Sequence, residues 1–144
     1  MQKIGAVFVT TLFIAGLSGC SYIFYPHADD FAEKAKGSNS VETVINLTSM
    51  MEASAEAAKG GSGYDQALDD LHNQFHAFDD SLCCVDEAKR ATPAYDLAVT
   101  HNKELWAIFK RVWKFKDTQP QRAEHLALFK TEVQELRTSL EALK

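Results

Sequence analysis

Residues 64–82 read YDQALDDLHNQFHAFDDSL, and this stretch decides the fold of the chain. Its apolar residues recur at steps of four and three, which places them along one face of an α-helix of about five turns. A single amphipathic helix is marginal in water, so this face predicts other helices that cover it. The residues on the face are Tyr64, Leu68, Leu71, Phe75, Phe78 and Leu82.

The segment before residues 64–82 predicts another long helix, over about 41–59. Asn39 is a capping residue at its start, and Gly60-Gly61 ends it. Ser62 then serves as the predicted cap of the central helix. The apolar residues of the 41–59 helix again recur at helical spacing, and they are Val41, Val44, Thr48, Met51 and Ala55.

Two further long helices follow the central one. Thr92-Pro93 is a capping residue followed by a proline in the first turn, which is typical of a helix start, and this helix runs to about Lys116. Thr118 is the predicted cap of the last helix, with Pro120 in its first turn. The apolar stripe of the last helix consists of Leu126, Phe129, Val133, Leu136, Leu140 and Leu143.

The pattern as a whole predicts an all-α protein. No segment of the mature chain alternates with period two for long enough to form a strand. Four amphipathic helices with short links predict an antiparallel up-down four-helix bundle over residues 38–144. Residues 20–37 are predicted to form a separate N-terminal segment with a short helix over 29–36.

The first 20 residues carry a different pattern. Met1-Gln2-Lys3 supplies a positive charge, an apolar run follows from Ile4 to Ala15, and small residues stand just before Cys20. An apolar run this short, with a charge in front and small residues behind, is typical of a secretory signal and too short for a membrane span.

The residues Leu17-Ser18-Gly19-Cys20 resemble the lipobox of bacterial lipoproteins. The resemblance implies that residues 1–19 are a signal peptide and that Cys20 becomes the acylated first residue of the mature protein. It therefore implies an anchor in a lipid bilayer of the bacterial cell envelope. Ser21, in place of the aspartate that retains such proteins at the inner membrane, favours the outer membrane facing the periplasm.

Composition limits the function classes. Hydrophobic residues make up 46% of the chain and charged residues 24%, which is ordinary for a globular protein. The formal net charge of −5 argues against nucleic acid as a partner. Cys83 and Cys84 are neighbours, so two reduced thiols, an intermolecular disulfide and a strained bridge between them all stay open.

A stripe of potential metal ligands follows the central helix beside its apolar face. Imidazole together with carboxylate or thiolate suits zinc or copper, and His72 and His76 are one turn apart. The alternative is that the stripe is the solvated edge of an amphipathic helix. The stripe consists of Asp69, His72, His76, Asp79 and Cys83.

The third long helix has an unusually wide apolar face with basic residues beside it. Aromatic and cationic residues together are typical of surfaces that bind a partner protein or anionic groups. The alternative is that the aromatic side chains complete the core and the basic side chains lie on the solvent-exposed side of the helix. The candidate partner-binding residues are Trp106, Phe109, Trp113, Lys110, Arg111 and Lys114.

No enzyme is predicted. The chain lacks a Gly-x-Ser-x-Gly elbow, a glycine-rich phosphate loop, a haem-attachment sequence and paired Glu-x-x-His motifs. We therefore predict a non-enzymatic binding or assembly factor in the cell envelope, with an envelope protein or a second copy of the chain as its partner. The alternative is a metal- or ligand-binding periplasmic module that uses His72 and His76, and no other cofactor is predicted.

Overall fold

The computed structural model describes residues 27–144, and this span is helical and contains no strand. The predicted all-α class is therefore confirmed for this span, whereas the predicted signal peptide, the lipobox and Cys20 lie outside it. No helix within it is long and apolar enough to cross a membrane. In order, the helices are α1 (Ala28–Lys34), α2 (Ser40–Ala57), α3 (Tyr64–Leu82), α4 (Glu87–Arg90), α5 (Pro93–Lys114) and α6 (Gln119–Glu141).

Two of the predicted helix caps are confirmed. The side chain of Asn39 accepts a hydrogen bond from the backbone N–H of Glu42 at 3.0 Å, at the start of α2. The side chain of Thr92 accepts one from the backbone N–H of Tyr95 at 3.4 Å, at the start of α5. Each bond satisfies an N–H group that has no partner within its own helix.

Of the other two predicted caps, Ser62 is wrong, whereas Thr118 is the N-cap residue of α6 as predicted. α3 begins at Tyr64 after Gly63, whose φ of 110° is a left-handed conformation that residues with a Cβ rarely adopt, so Ser62 lies outside the helix. Thr118 does precede α6, but its side chain makes no capping hydrogen bond. The four-residue helix α4 was not predicted, since it is too short to show a periodic pattern.

The apolar stripes predicted for α2, α3 and α6 lie in the core, which also contains Leu105, Phe109 and Val112 of α5. Every residue of the α2 and α6 stripes is buried, and so is every residue of the α3 stripe except Tyr64, which is half-buried. Phe75, Phe78 and Phe129 are the largest of the fully buried side chains. The helical spacing of the apolar residues was thus a reliable guide to the buried faces.

The four long helices enclose this core. α2 packs against α3 on one side and α6 on the other, and α5 packs against α6. α3 and α5 meet mainly through large aromatic side chains, such as Phe75 and Trp106, whose ring centroids are 4.5 Å apart. The short helix α1 lies against α3, with Phe31 buried. His72, His76 and Trp106, three of the candidate functional residues, lie at the interface between α3 and α5.

Candidate functional site

Asp79 links α3 to α5. Its carboxylate accepts hydrogen bonds from Asn102 Nδ2 at 2.7 Å and from Trp106 Nε1 at 3.0 Å. Burial raises the pKa of the Asp79 carboxyl, and the two hydrogen bonds act in the opposite direction. Asp79 was predicted as a metal ligand and Trp106 as a partner-binding residue. The two are instead hydrogen-bonded to each other across the interface between α3 and α5.

His72 and His76 lie side by side, with ring centroids 5.1 Å apart. Their rings pack among aromatic side chains of α5, at 5.3 Å between His76 and Trp106 and 5.5 Å between His72 and Trp113. Burial lowers the pKa of both imidazoles, and the neighbouring His76 lowers that of His72 further. Both rings are therefore biased toward the neutral form, which is the form that binds metals.

The remaining members of the predicted metal stripe do not gather around this histidine pair. Asp69 and Cys83 are exposed, and Asp79 is bonded to α5. No three of the five stripe residues bring ligand atoms within 4.8 Å of one another in the part of the chain that the structure describes. The pair consequently offers two nearby imidazoles without a third ligand from the stripe.

The predicted partner-binding residues divide between the core and the surface. Phe109 is only 3% exposed and belongs to the core, and Trp106 is half-buried. Trp113 is 38% exposed, and Lys116 Nζ lies 5.4 Å from the centroid of its ring. Trp113 is therefore the aromatic residue of this stripe that is accessible to a partner.

Three basic residues stand near the exposed tryptophan in the sequence of α5. Lys110 and Lys114 lie on the same side of the helix as Trp113, whereas Arg111, two residues before it, lies on a different side. Lys110, Arg111 and Lys114 are all exposed. Within residues 27–144, no carboxylate lies at ion-pair distance from any of them. We call Trp113 together with Lys110 and Lys114 the basic tryptophan surface.

A further group of ligating side chains lies between α5 and α6, and the sequence analysis missed it. His101 Nδ1 is 2.5 Å from Glu132 Oε1. One ligand atom from each of His101, Glu104 and Glu132 lies within 4.8 Å of the others. The spacing of His101 and Glu104, three residues apart on one helix, was a visible signal, but nothing in the sequence places Glu132 beside them.

Cys83 and Cys84 are both exposed and carry free thiols. Cys83 follows the last residue of α3, and the sulfur of Cys84 lies 3.5 Å from the backbone oxygen of Asp80. The structure therefore contains no bridge between the two neighbours, and both thiols are accessible to oxidants.

Comparison of the chain with models of protein families, with curated proteins and with solved structures finds no match.

Proposed function

We propose that this chain is a lipid-anchored protein of the bacterial cell envelope that binds a partner protein and has no catalytic role. The observation that carries the proposal is the basic tryptophan surface, in which an exposed aromatic ring lies on the same side of α5 as two lysines that have no ion pair within residues 27–144. Tryptophan is among the residue types most often found at the centre of protein interfaces. The Leu17-Ser18-Gly19-Cys20 sequence supports the anchor.

The charge of this surface favours an acidic segment of another envelope protein as its occupant. The chain carries a net charge of −5, yet Lys110 and Lys114 have no carboxylate partner among the described residues. A second copy docked through the same surface would bring like charges together, which is unfavourable. A membrane surface is less favoured because Trp113 is the only large apolar side chain exposed on this part of α5.

We further propose that the four long helices form an antiparallel up-down bundle over residues 38–144. Arg122 at the start of α6 donates to the backbone oxygen of Ala58, beyond the end of α2, whereas Arg137 farther along α6 donates to Thr48 within α2. The start of α3 likewise contacts the loop after α5, and its end contacts the first half of α5. These pairings support opposite directions for both helix pairs.

The metal-binding alternative for His72 and His76 is the weaker candidate. The two rings are close and biased toward the neutral form. Zinc sites in proteins ordinarily have three or four protein ligands, however, and the stripe brings no third ligand to the pair. Partner binding is therefore our conclusion.

The lipid anchor is tested by Cys20→Ser. We expect this variant to lose palmitate labelling and to remain unprocessed or leave the membrane fraction, because the acyl chains supply nearly all of the membrane affinity. Cys83→Ser is the matched control and should keep both the label and the membrane location. A Cys20→Ser protein that is still labelled with palmitate and processed at the membrane would contradict the proposed lipid anchor at Cys20.

The partner surface is tested by placing a photoreactive phenylalanine derivative at position 113 in living cells. We expect a crosslinked product with another envelope protein. Reversing two neighbouring charges with Lys110→Glu and Lys114→Glu should reduce that product about tenfold, because an acidic partner would then meet like charges.

Position 128 provides the control for this crosslinking experiment. Leu128 lies on α6 and is 48% exposed, so it is at least as accessible as Trp113. Identical products from both positions, or a product from position 113 that survives charge reversal, would contradict the proposed surface. A crosslinked dimer of this chain, or crosslinking to lipid alone, would contradict an acidic protein partner.

A further inference from the structure

We propose that His101, Glu104 and Glu132 form a zinc-binding site between α5 and α6. Their ligand atoms all lie within 4.8 Å of one another, and no other group of three such side chains does so within residues 27–144. The site lies at a different helix interface from the His72–His76 pair. It is independent of the partner surface proposed above.

The helices hold the three side chains in place. His101 and Glu104 are three residues apart on α5, so they lie on the same face of that helix. Glu132 reaches them from α6, which packs closely against α5. The ligands therefore come from two helices whose relative position is set by the core, and little reorganisation is needed to bind an ion.

The ligand atoms lie within 4.8 Å of one another, so modest side-chain movements would bring them to the separations that zinc requires. Tetrahedral zinc with bonds of about 2.0–2.1 Å separates its ligand atoms by about 3.3–3.4 Å. His101 Nδ1 and Glu132 Oε1, now hydrogen-bonded at 2.5 Å, would move apart by about 1 Å to reach this separation. Side-chain rotation alone can supply such a shift.

Charge balance also favours a cation at this site. Glu132 pairs only with His101, and Glu104 has no ion-pair partner, in the described part of the chain. By contrast, Glu52 on the neighbouring α2–α6 interface is paired with both Lys130 and Arg137. The two carboxylates beside His101 thus lack a lysine or arginine partner of the kind that α6 supplies to Glu52, and a divalent ion would supply the missing positive charge.

Accessibility and donor chemistry point to zinc. The side chains of His101 and Glu132 are 18% and 16% exposed, whereas Glu104 faces solvent, so an ion can enter from one side and keep a water as its fourth ligand. One imidazole with two carboxylates and no thiolate is a donor set that suits zinc and does not suit copper(I). The ion would connect α5 to α6.

The test is titration calorimetry with Zn²⁺ on the full chain, purified in detergent without a histidine tag. We expect one ion to bind with micromolar affinity or better. Glu104→Gln removes a ligand but leaves the His101–Glu132 hydrogen bond intact, and it should weaken binding at least about tenfold. Zn²⁺ should also raise the melting temperature of the parent chain and not that of Glu104→Gln.

Two control variants locate the site. Glu124→Gln changes an exposed glutamate elsewhere on α6, and His72→Ala combined with His76→Ala removes the other imidazole pair. Both variants should bind Zn²⁺ as the parent does. Absence of Zn²⁺ binding by the parent, equal binding by Glu104→Gln, or loss of binding with His72→Ala and His76→Ala would each overturn the proposed site.

Discussion

Phe75→Ala should lower the free energy of unfolding by about 3–5 kcal/mol, the range for removing a large aromatic side chain from a core. The Phe75 side chain is fully buried. Its ring centroid lies 4.5 Å from that of Trp106, 5.2 Å from that of Phe109 and 5.5 Å from that of Phe129. Truncation would leave a cavity where α3, α5 and α6 meet, and rings held by their own helices cannot collapse into it.

Urea unfolding followed by circular dichroism measures this loss. The midpoint should fall while the denaturant slope stays the same, since the surface exposed on unfolding hardly changes. Leu128→Ala is the control, because the Leu128 side chain is 48% exposed and its loss should shift stability by about 0.5 kcal/mol or less. If both variants unfolded at the same urea concentration as the parent, the result would contradict a central place for Phe75 in the core.

Arg122→Met should have the next largest effect, a loss of about 3 kcal/mol, because it removes a buried cation that connects three parts of the chain. Arg122 is only 4% exposed. Its guanidinium donates to the backbone oxygens of Ala58, at 3.0 Å, and Lys116, and it stacks 3.8 Å from the ring centroid of Tyr64. The end of α2, the start of α3 and the loop between α5 and α6 are thus connected through one side chain.

Methionine preserves much of the side-chain volume but cannot donate a hydrogen bond. The two carbonyl oxygens would then lose their donor, at a cost of about 1–3 kcal/mol for each buried group left unsatisfied. Arg111→Met is the matched control, since Arg111 is exposed and without an ion pair in the described residues. Equal stability of the two variants in urea would mean that the contacts of Arg122 contribute nothing measurable.

Much of the helical organisation could be predicted from local sequence patterns. A helix repeats every 3.6 residues, so steps of three and four reveal which side chains share a face. The stripes of α2, α3 and α6 were assigned in this way and are buried, with Tyr64 half-buried. The cap at Asn39 depends on a side-chain hydrogen bond to a nearby N–H group, which the residue type predicts. The start of α3 depends instead on the left-handed backbone of Gly63, which is why the Ser62 prediction was wrong.

The candidate sites could be predicted only in part. Exposed basic residues beside aromatic ones on α5 were recognised, but their periodicity did not reveal that Phe109 is buried while Trp113 is accessible. The histidine stripe of α3 and the tryptophan stripe of α5 were treated as separate candidates, although Asp79 hydrogen-bonds to Trp106 between them. Both errors arise because a helical pattern specifies a face without specifying what lies against it.

The sequence by itself determined the helical class, the faces that are buried and most helix boundaries, because these depend on residues within one or two turns of each other. It also contained the Leu17-Ser18-Gly19-Cys20 resemblance on which the proposed anchor depends. Only the tertiary structure decided that Glu132 lies beside His101 and that Arg122 reaches Ala58, 64 positions away in the chain. Contacts of this kind depend on how whole helices pack, and the side chains that make them carry no periodic signal.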